Sequence, residues 1–267
     1  MTVGLSREQI ADRLEEAAEL LDAQGANPFR VRAYRLASDT VRGLLEDPAQ
    51  ILARGGLEGL VQLPNIGNRL ARAIDEMSHS GRWIQLERMR GEAEPEELFQ
   101  SIPGVGPETA RRLHDVLHID TLEALEIAAH DGRLEGVPGI GPRKAASIRA
   151  SLAAMLARRS RMGKEDHDEP PVEMLLEVDQ VYRQRAKEGT LRKIAPRRFN
   201  PSGEAWLPIL HLDRNDWSFT ALFSNTARAH DLGRTDDWVV IYFGKPGGRE
   251  HTRTAVTETH GPLEGKR

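Results

Sequence analysis

The sequence predicts a mainly α-helical N-terminal half followed by a small α+β domain with an antiparallel sheet, and three observations carry that reading. A short phrase recurs three times, as Leu63-Pro64-Asn65-Ile66-Gly67, Ile102-Pro103-Gly104-Val105-Gly106 and Val137-Pro138-Gly139-Ile140-Gly141. Each copy continues in helical register: four residues past its last Gly stands Ala71, Ala110 or Ala145, and seven past it Ile74, Leu113 or Ile148, on one helical face. Beyond Pro171, after one more helix, short runs rich in aromatic and β-branched residues alternate with Asn, Asp, Gly and Pro. Each phrase reads as a tight turn between two helices, and the three as a tandem helix-hairpin-helix array.

The turn dictates a chemistry. Two Gly, or Asn and Gly, separated by one apolar residue let the backbone take left-handed angles and keep side chains away from its amides. Those amides, with the free N–H groups of the following helix, form a concave anion site that suits a nucleic-acid phosphate. Pro107 and Pro142 fit the first helical position. The DNA-binding residues are therefore expected to be Gly67, Asn68, Arg69, Gly104, Gly106, Thr109, Gly139, Gly141, Arg143 and Lys144. Phosphate contacts of this kind grip any sequence alike.

Composition sets the bounds. A net charge of -4 supplies no overall positive field, so binding must rest on local geometry and local Arg. Without cysteine there are no disulfides, thiolate metal sites or Cys nucleophiles. No stretch approaches a membrane span, and a soluble cytoplasmic protein is expected.

In order, Ser6 and Gln9 form a capping box for a helix ending at Gly25, with Ile10, Leu14, Ala17, Ala18 and Leu21 as its apolar stripe. Asn27-Pro28 opens a second helix running to about Glu46, and a short helix precedes Gly55-Gly56 and the first hairpin. Thr121 caps a helix between the second and third hairpins. The stretch 159–171 reads as a linker. Val172 to about Lys187 is helical, followed by strands at Leu191–Ile194, Trp206–Leu212, Trp217–Phe223, Trp238–Phe243 and Thr254–Thr257. Four segments result: 1–93, 94–158, the linker 159–171, and an α+β domain at 172–267.

The run Asn27-Pro28-Phe29-Arg30-Val31-Arg32-Ala33-Tyr34-Arg35, then Leu63 to Glu76 and Ile102 to Leu113, resembles the N-terminal part of family X DNA polymerases, their lyase domain and fingers. The resemblance covers residues 1 to about 157. It implies a DNA-end-binding module that grips the backbone beside a gap or nick, with a 5′-phosphate held by Arg30, Tyr34 and Arg69. It also implies a monovalent cation, K⁺ or Na⁺, on the carbonyls of Val61, Leu63 and Ile66, and of Gln100, Ile102 and Val105. The family's Schiff-base lysine falls on Ala73, and no lysine precedes Lys144. A lyase is therefore expected to be absent, since a permanently protonated guanidinium cannot replace the amine.

The polymerase palm is expected to be absent too. No Gly-Ser dipeptide and no strand-borne Asp-x-Asp follows the linker, and Asp213, Asp216, Asp236 and Asp237 lack two-metal spacing. The reading is a non-catalytic, non-sequence-specific DNA-binding protein of DNA repair, with DNA as partner, no membrane, and a C-terminal domain open to a protein partner. The competing reading is a nuclease or reduced nucleotidyltransferase with its chemistry in 172–267, motivated by the polar cluster Ser224, Asn225, Thr226, Arg228 and His230.

Overall fold

The computed structural model describes residues 4–92, 95–117, 119, 122–160, 169–245, 248 and 250–267. They group into two compact units, one of Met1–Ala93, Asp166–Phe223 and Val239–Arg267, the other of Glu94–Glu165 and Ser224–Trp238. The segments 1–93 and 172–267, separate in the sequence reading, thus fall largely within one unit, and 224–238 groups with the hairpins that precede the linker. Most of that linker lies outside the described residues.

The first unit opens with α1 (Arg7–Ala23), α2 (Pro28–Arg42), α3 (Pro48–Val61), α4 (Asn68–Ser80) and α5 (Ile84–Arg90). Ser6 and Gln9 make the expected capping box, and the Asn27 side chain accepts the Phe29 N–H at 3.0 Å. Alanines on the facing stripes, Ala11, Ala17, Ala18 and Ala37, let α1 and α2 approach closely, and the buried Ser38 hydroxyl donates to the Ala11 carbonyl at 2.8 Å. The second helix ends at Arg42, short of Glu46, because Gly43 starts the exit toward Asp47-Pro48. Helical structure resumes past Gly55-Gly56, with Gly56 at φ 60° as a kink inside α3. The sequence reading missed α5 altogether.

The second unit contains α6 (Pro95–Phe99), α7 (Pro107–Leu117), α8 (Leu122–His130), a 3-10 turn (Arg133–Gly136) and α9 (Pro142–Ser160). Its core joins Phe99, Leu113, Leu125, Leu134, Ile148 and Leu152 with the apolar residues of both hairpins. Thr121, the expected cap of α8, lies outside the described residues.

The chain continues in the first unit with α10 (Val172–Glu188), β1 (Lys193–Ile194), β2 (Leu207–Arg214) and β3 (Trp217–Phe223); α11 (Ala227–Asp231) belongs to the second unit, and β4 (Val239–Gly244) and β5 (His251–Ala255) return to the first. The five strands form an antiparallel meander in chain order. Period-2 alternation splits the sheet. One face, with Leu210, Phe219, Ala221, Val239, Ile241 and Phe243, packs on Leu175, Val178 and Tyr182 of α10. The Tyr182 hydroxyl donates to the Pro208 carbonyl and accepts the Phe223 N–H. The other face carries Ile209, Leu222 and the cross-strand row His211, Thr220, Tyr242, Thr252.

That second face holds the N-terminal helices. Arg88 of α5 lies 3.3 Å from the centroid of the Tyr242 ring, and His211 reaches Gln24 at 2.8 Å. Gly91, at φ 83°, is needed for a further reason: a Cβ there would stand 2.6 Å from the Ala195 carbonyl oxygen. Trp217 joins the core edge-on to Phe243, as expected of a structural tryptophan. The last residues fold back, with Glu258 and Lys266 hydrogen-bonded at 2.9 Å and Arg267 on the buried Asp179.

Candidate nucleic-acid interface

The three hairpins are built by the same hydrogen bonds. Leu63, Ile102 and Val137 donate to Leu60, Phe99 and Leu134; Ile66, Val105 and Ile140 donate back to Leu63, Ile102 and Val137; and Ala71, Ala110 and Ala145 start the next helix on Gly67, Gly106 and Gly141, at 2.9–3.3 Å. Burying Ile66, Val105 and Ile140 anchors each bend from beneath, while the Pro, Gly and Asn residues around it stay exposed.

Only the first of the two small residues is left-handed: Asn65 at φ 63°, Gly104 at 83° and Gly139 at 80°. The second is not, and Gly67 has φ -83° and ψ 172°. Its glycine therefore serves access: a Cβ on Gly67, Gly106 or Gly141 would meet nothing within 4 Å, and that open space lies beside backbone donors. Among the described residues, the N–H groups of Gly67, Asn68 and Arg69, of Gly106 and Glu108, and of Gly141 and Arg143 find no acceptor within the chain. Such donors, aimed out of a helix start, suit an oxyanion.

In the second unit the Lys144 ammonium donates to the buried Thr109 hydroxyl at 2.8 Å, linking the helices that follow the second and third hairpins. Arg112, on the helix that follows the second bend, donates to the Pro138 carbonyl at 2.8 Å and stands where a Cβ on Gly139 would lie. It lays a cation on the third bend itself. Arg143 is exposed, beside the free amides.

The carbonyls expected to hold a cation lie in or next to the first and second bends. Those of Val61, Ile66, Gln100 and Val105 accept no hydrogen bond among the described residues, and those of Leu63 and Ile102 accept one each, leaving a lone pair. Carbonyl oxygens of this kind replace the hydration shell of a monovalent ion.

Arg30, Tyr34 and Arg69 are brought to one side of the first unit, where they meet residues that sequence reasoning missed. Arg69 lies 3.7 Å from Glu250, and Arg88 donates to the other Glu250 oxygen at 2.8 Å. Arg30 is half-buried, with its Nε and Nη2 atoms shut from solvent and without a hydrogen-bond partner; Oδ1 of Asp213 is in the same condition. Burial first, then the Arg69 charge, pulls the Arg30 guanidinium below its usual value. Burial alone would raise the Glu250 carboxyl, but Arg88 and Arg69 hold it below the ordinary glutamate value. Tyr34 stacks on Trp83 at 5.9 Å, its hydroxyl 3.3–3.5 Å from the Gln85 amide. By contrast Arg35 and Arg42 lie on the surface in ion pairs with Asp22 and Asp12.

His211 borders this cluster and fixes its own tautomer. Gln24 donates its Nε2 to the Met89 carbonyl, so its Oε1 accepts Nε2–H of His211, and Nδ1 accepts the Thr220 hydroxyl at 3.0 Å. Burial, then the charges of Arg30, Arg69 and Arg88, hold His211 well below 6.5, so it stays neutral in the fold. The unfolded chain takes up a proton below about 6.5 and the folded one does not. Stability of the first unit should therefore fall as pH drops through that value, by up to about 1.4 kcal/mol per pH unit. Urea melts at pH 7.5 and 5.5 measure this, and His211→Gln should flatten the dependence.

The polar cluster at Ser224 to His230 is occupied by its own hydrogen bonds. The Thr226 hydroxyl accepts the Ala229 N–H at 3.1 Å at the start of α11 and meets the Ser224 hydroxyl at 3.2 Å, while His230 meets Asn225 at 2.7 Å. His114, buried, pairs with Glu96 at 2.9 Å and so ties α7 to α6.

Comparison with known proteins matches residues 6–83 to a helix-hairpin-helix domain and residues 96–154 to a SAM-like helix-hairpin-helix tandem. The chain thus carries helix-hairpin-helix domains over these two stretches. It resembles the N-terminal part of a DNA polymerase/3′-5′ exonuclease PolX of Bacillus subtilis (strain 168), with 27% identity over 150 residues. The aligned stretch is 55% of this chain but spans only 25% of the length of that relative. Among the described residues, no helix is long and apolar enough to cross a membrane.

Proposed function

We propose that the protein grips the sugar-phosphate backbone of DNA at a gap, nick or end, without sequence preference, through its three hairpins, and that it serves DNA repair. The observation that carries this reading is the threefold repetition of a bend whose apolar residue is buried beneath and whose amide donors point outward unpartnered. Gly67, Asn68 and Arg69 supply the first contact, Gly104, Gly106 and Thr109 with Lys144 the second, and Gly139, Gly141 and Arg143 the third. The carbonyls of Val61, Leu63 and Ile66, and of Gln100, Ile102 and Val105, would hold a K⁺ or Na⁺ ion, which would supply positive charge for a phosphate beside the bends. Arg30, Tyr34 and Arg69 would take a terminal 5′-phosphate, for which guanidinium groups are suited.

The reading is non-catalytic. Ala73, where a lyase would place its amine, is buried in the helix after the first hairpin. Asp237 pairs with Arg234 at 3.6 Å, and Asp213 belongs to the arginine cluster. These surroundings favour structural roles for both carboxylates.

The test is a salt titration of binding to gapped duplexes of two unrelated sequences. Equal affinities are expected, and Arg143→Ala should lower the slope of log affinity against log salt by about one. Strong preference for one sequence, or an unchanged slope, contradicts the reading.

A further inference from the structure

The arginine cluster of the first unit holds more cation than its carboxylates neutralise. Arg30, Arg69 and Arg88 face Glu250 and Asp213, and two buried donors of Arg30 are left over. The Glu250 side chain is 23% exposed, so part of it borders solvent while its carboxylate lies among the arginines. It precedes β5 and lies outside the paired residues of that strand, so movement of its side chain breaks no strand pairing. Arg88 is buried and has a second contact besides Glu250, on the Tyr242 ring.

We propose that Glu250 is an internal plug for a phosphate-monoester pocket formed by Arg30, Arg69 and Arg88, holding the place of a DNA 5′-phosphate until that phosphate displaces it. The inference rests on the backbone-gripping function given above and adds its regulation, together with Arg88 as a third arginine for the phosphate. A carboxylate brings one negative charge and two oxygens. A terminal phosphate brings close to two charges and three oxygens, enough to satisfy Arg30 as well as Arg69 and Arg88. The exchange is thus favoured by charge count but opposed by the Glu250 bonds that must break. Ends lacking the phosphate gain nothing from it. The plug makes the intact protein indifferent to the state of the end and leaves a latent preference that removal of one carboxylate exposes.

The experiment compares two gapped duplexes that differ only in a 5′-phosphate or 5′-hydroxyl at the gap, titrated by fluorescence anisotropy. Wild type should bind both within about twofold, and Glu250→Gln, which keeps the size and a hydrogen bond for Arg88, should bind the phosphorylated duplex about tenfold more tightly. Its affinity for the hydroxyl duplex should not move. Adding Arg69→Ala to Glu250→Gln should abolish the gain. A change that is equal on the two duplexes, or no change on either, overturns the plug while leaving backbone gripping intact. If wild type binds neither duplex, it is the backbone reading that fails. Should Glu250→Gln not fold, Glu250→Asp carries the test, since it keeps the charge and shortens the reach. A preference of about threefold or more for the phosphorylated end then supports the plug, and equal affinities overturn it.

Discussion

Aspartate at both Gly106 and Gly141 should lower the affinity for duplex DNA by about 100-fold while leaving the melting temperature unchanged or slightly raised. Neither glycine is left-handed, and a Cβ at either meets open space, so the fold accepts a side chain there. Both residues immediately precede a helix, where aspartate is among the preferred caps because its carboxylate accepts the first N–H groups. Those are the donors assigned to phosphate, and the new charge also repels it. A hydrogen bond to a charged group is worth about 1.5–3 kcal/mol, so losing one in each of two hairpins gives about 3 kcal/mol, or about 100-fold. Anisotropy titration and a thermal melt on the same sample separate binding from folding. A glycine kept only for its backbone freedom would give the opposite pattern, loss of stability with little change in affinity for the protein that remains folded.

Asp179→Ala should destabilise the protein by about 3–5 kcal/mol, enough to leave part of the chain unfolded at 37 °C. Asp179 is 1% exposed and takes Arg183 Nε at 3.0 Å and the Arg267 guanidinium on both oxygens. Without the carboxylate, Arg267, itself only 13% exposed, keeps its charge in a place that water reaches poorly. The terminal segment that folds back from Glu258 then loses its anchor on α10. Urea unfolding of the variant and of Asp179→Asn measures the effect. Asparagine retains shape and a hydrogen-bond acceptor, so it should cost less than alanine.

The local chemistry of the hairpins was legible in the sequence because it depends on near neighbours. The apolar positions of each phrase, the register of the following helix and the Pro at the start of two of these helices are short-range signals, and the strand runs around Trp217 and Val239 are marked by their aromatic and β-branched residues. The cluster at Glu250 was not legible. Its members come from α2, α4, α5, β2 and the start of β5, so it exists only once the sheet face carrying His211, Thr220 and Tyr242 is laid against the N-terminal helices. One signal was present in β2: Leu207, Ile209, His211 and Asp213 share a face, and two polar residues continuing an apolar stripe mark a buried partner. Arg30 showed the same limit, since its sequence neighbours Arg35 and Arg42 do lie on a solvated face. The left-handed turn was placed correctly in each bend but extended by one glycine too many, because residue type alone does not separate freedom of φ from freedom of approach.

Amide resonances report most directly on whether the bends donate their backbone N–H groups to phosphate. With the protein labelled with nitrogen-15, adding a short gapped duplex should shift the N–H signals of Gly67, Gly106 and Gly141 and of the first residues of the helices after them. If these signals stay in place while those of the basic stretch Arg183 to Arg198 move, the bends are structural and the DNA is held elsewhere.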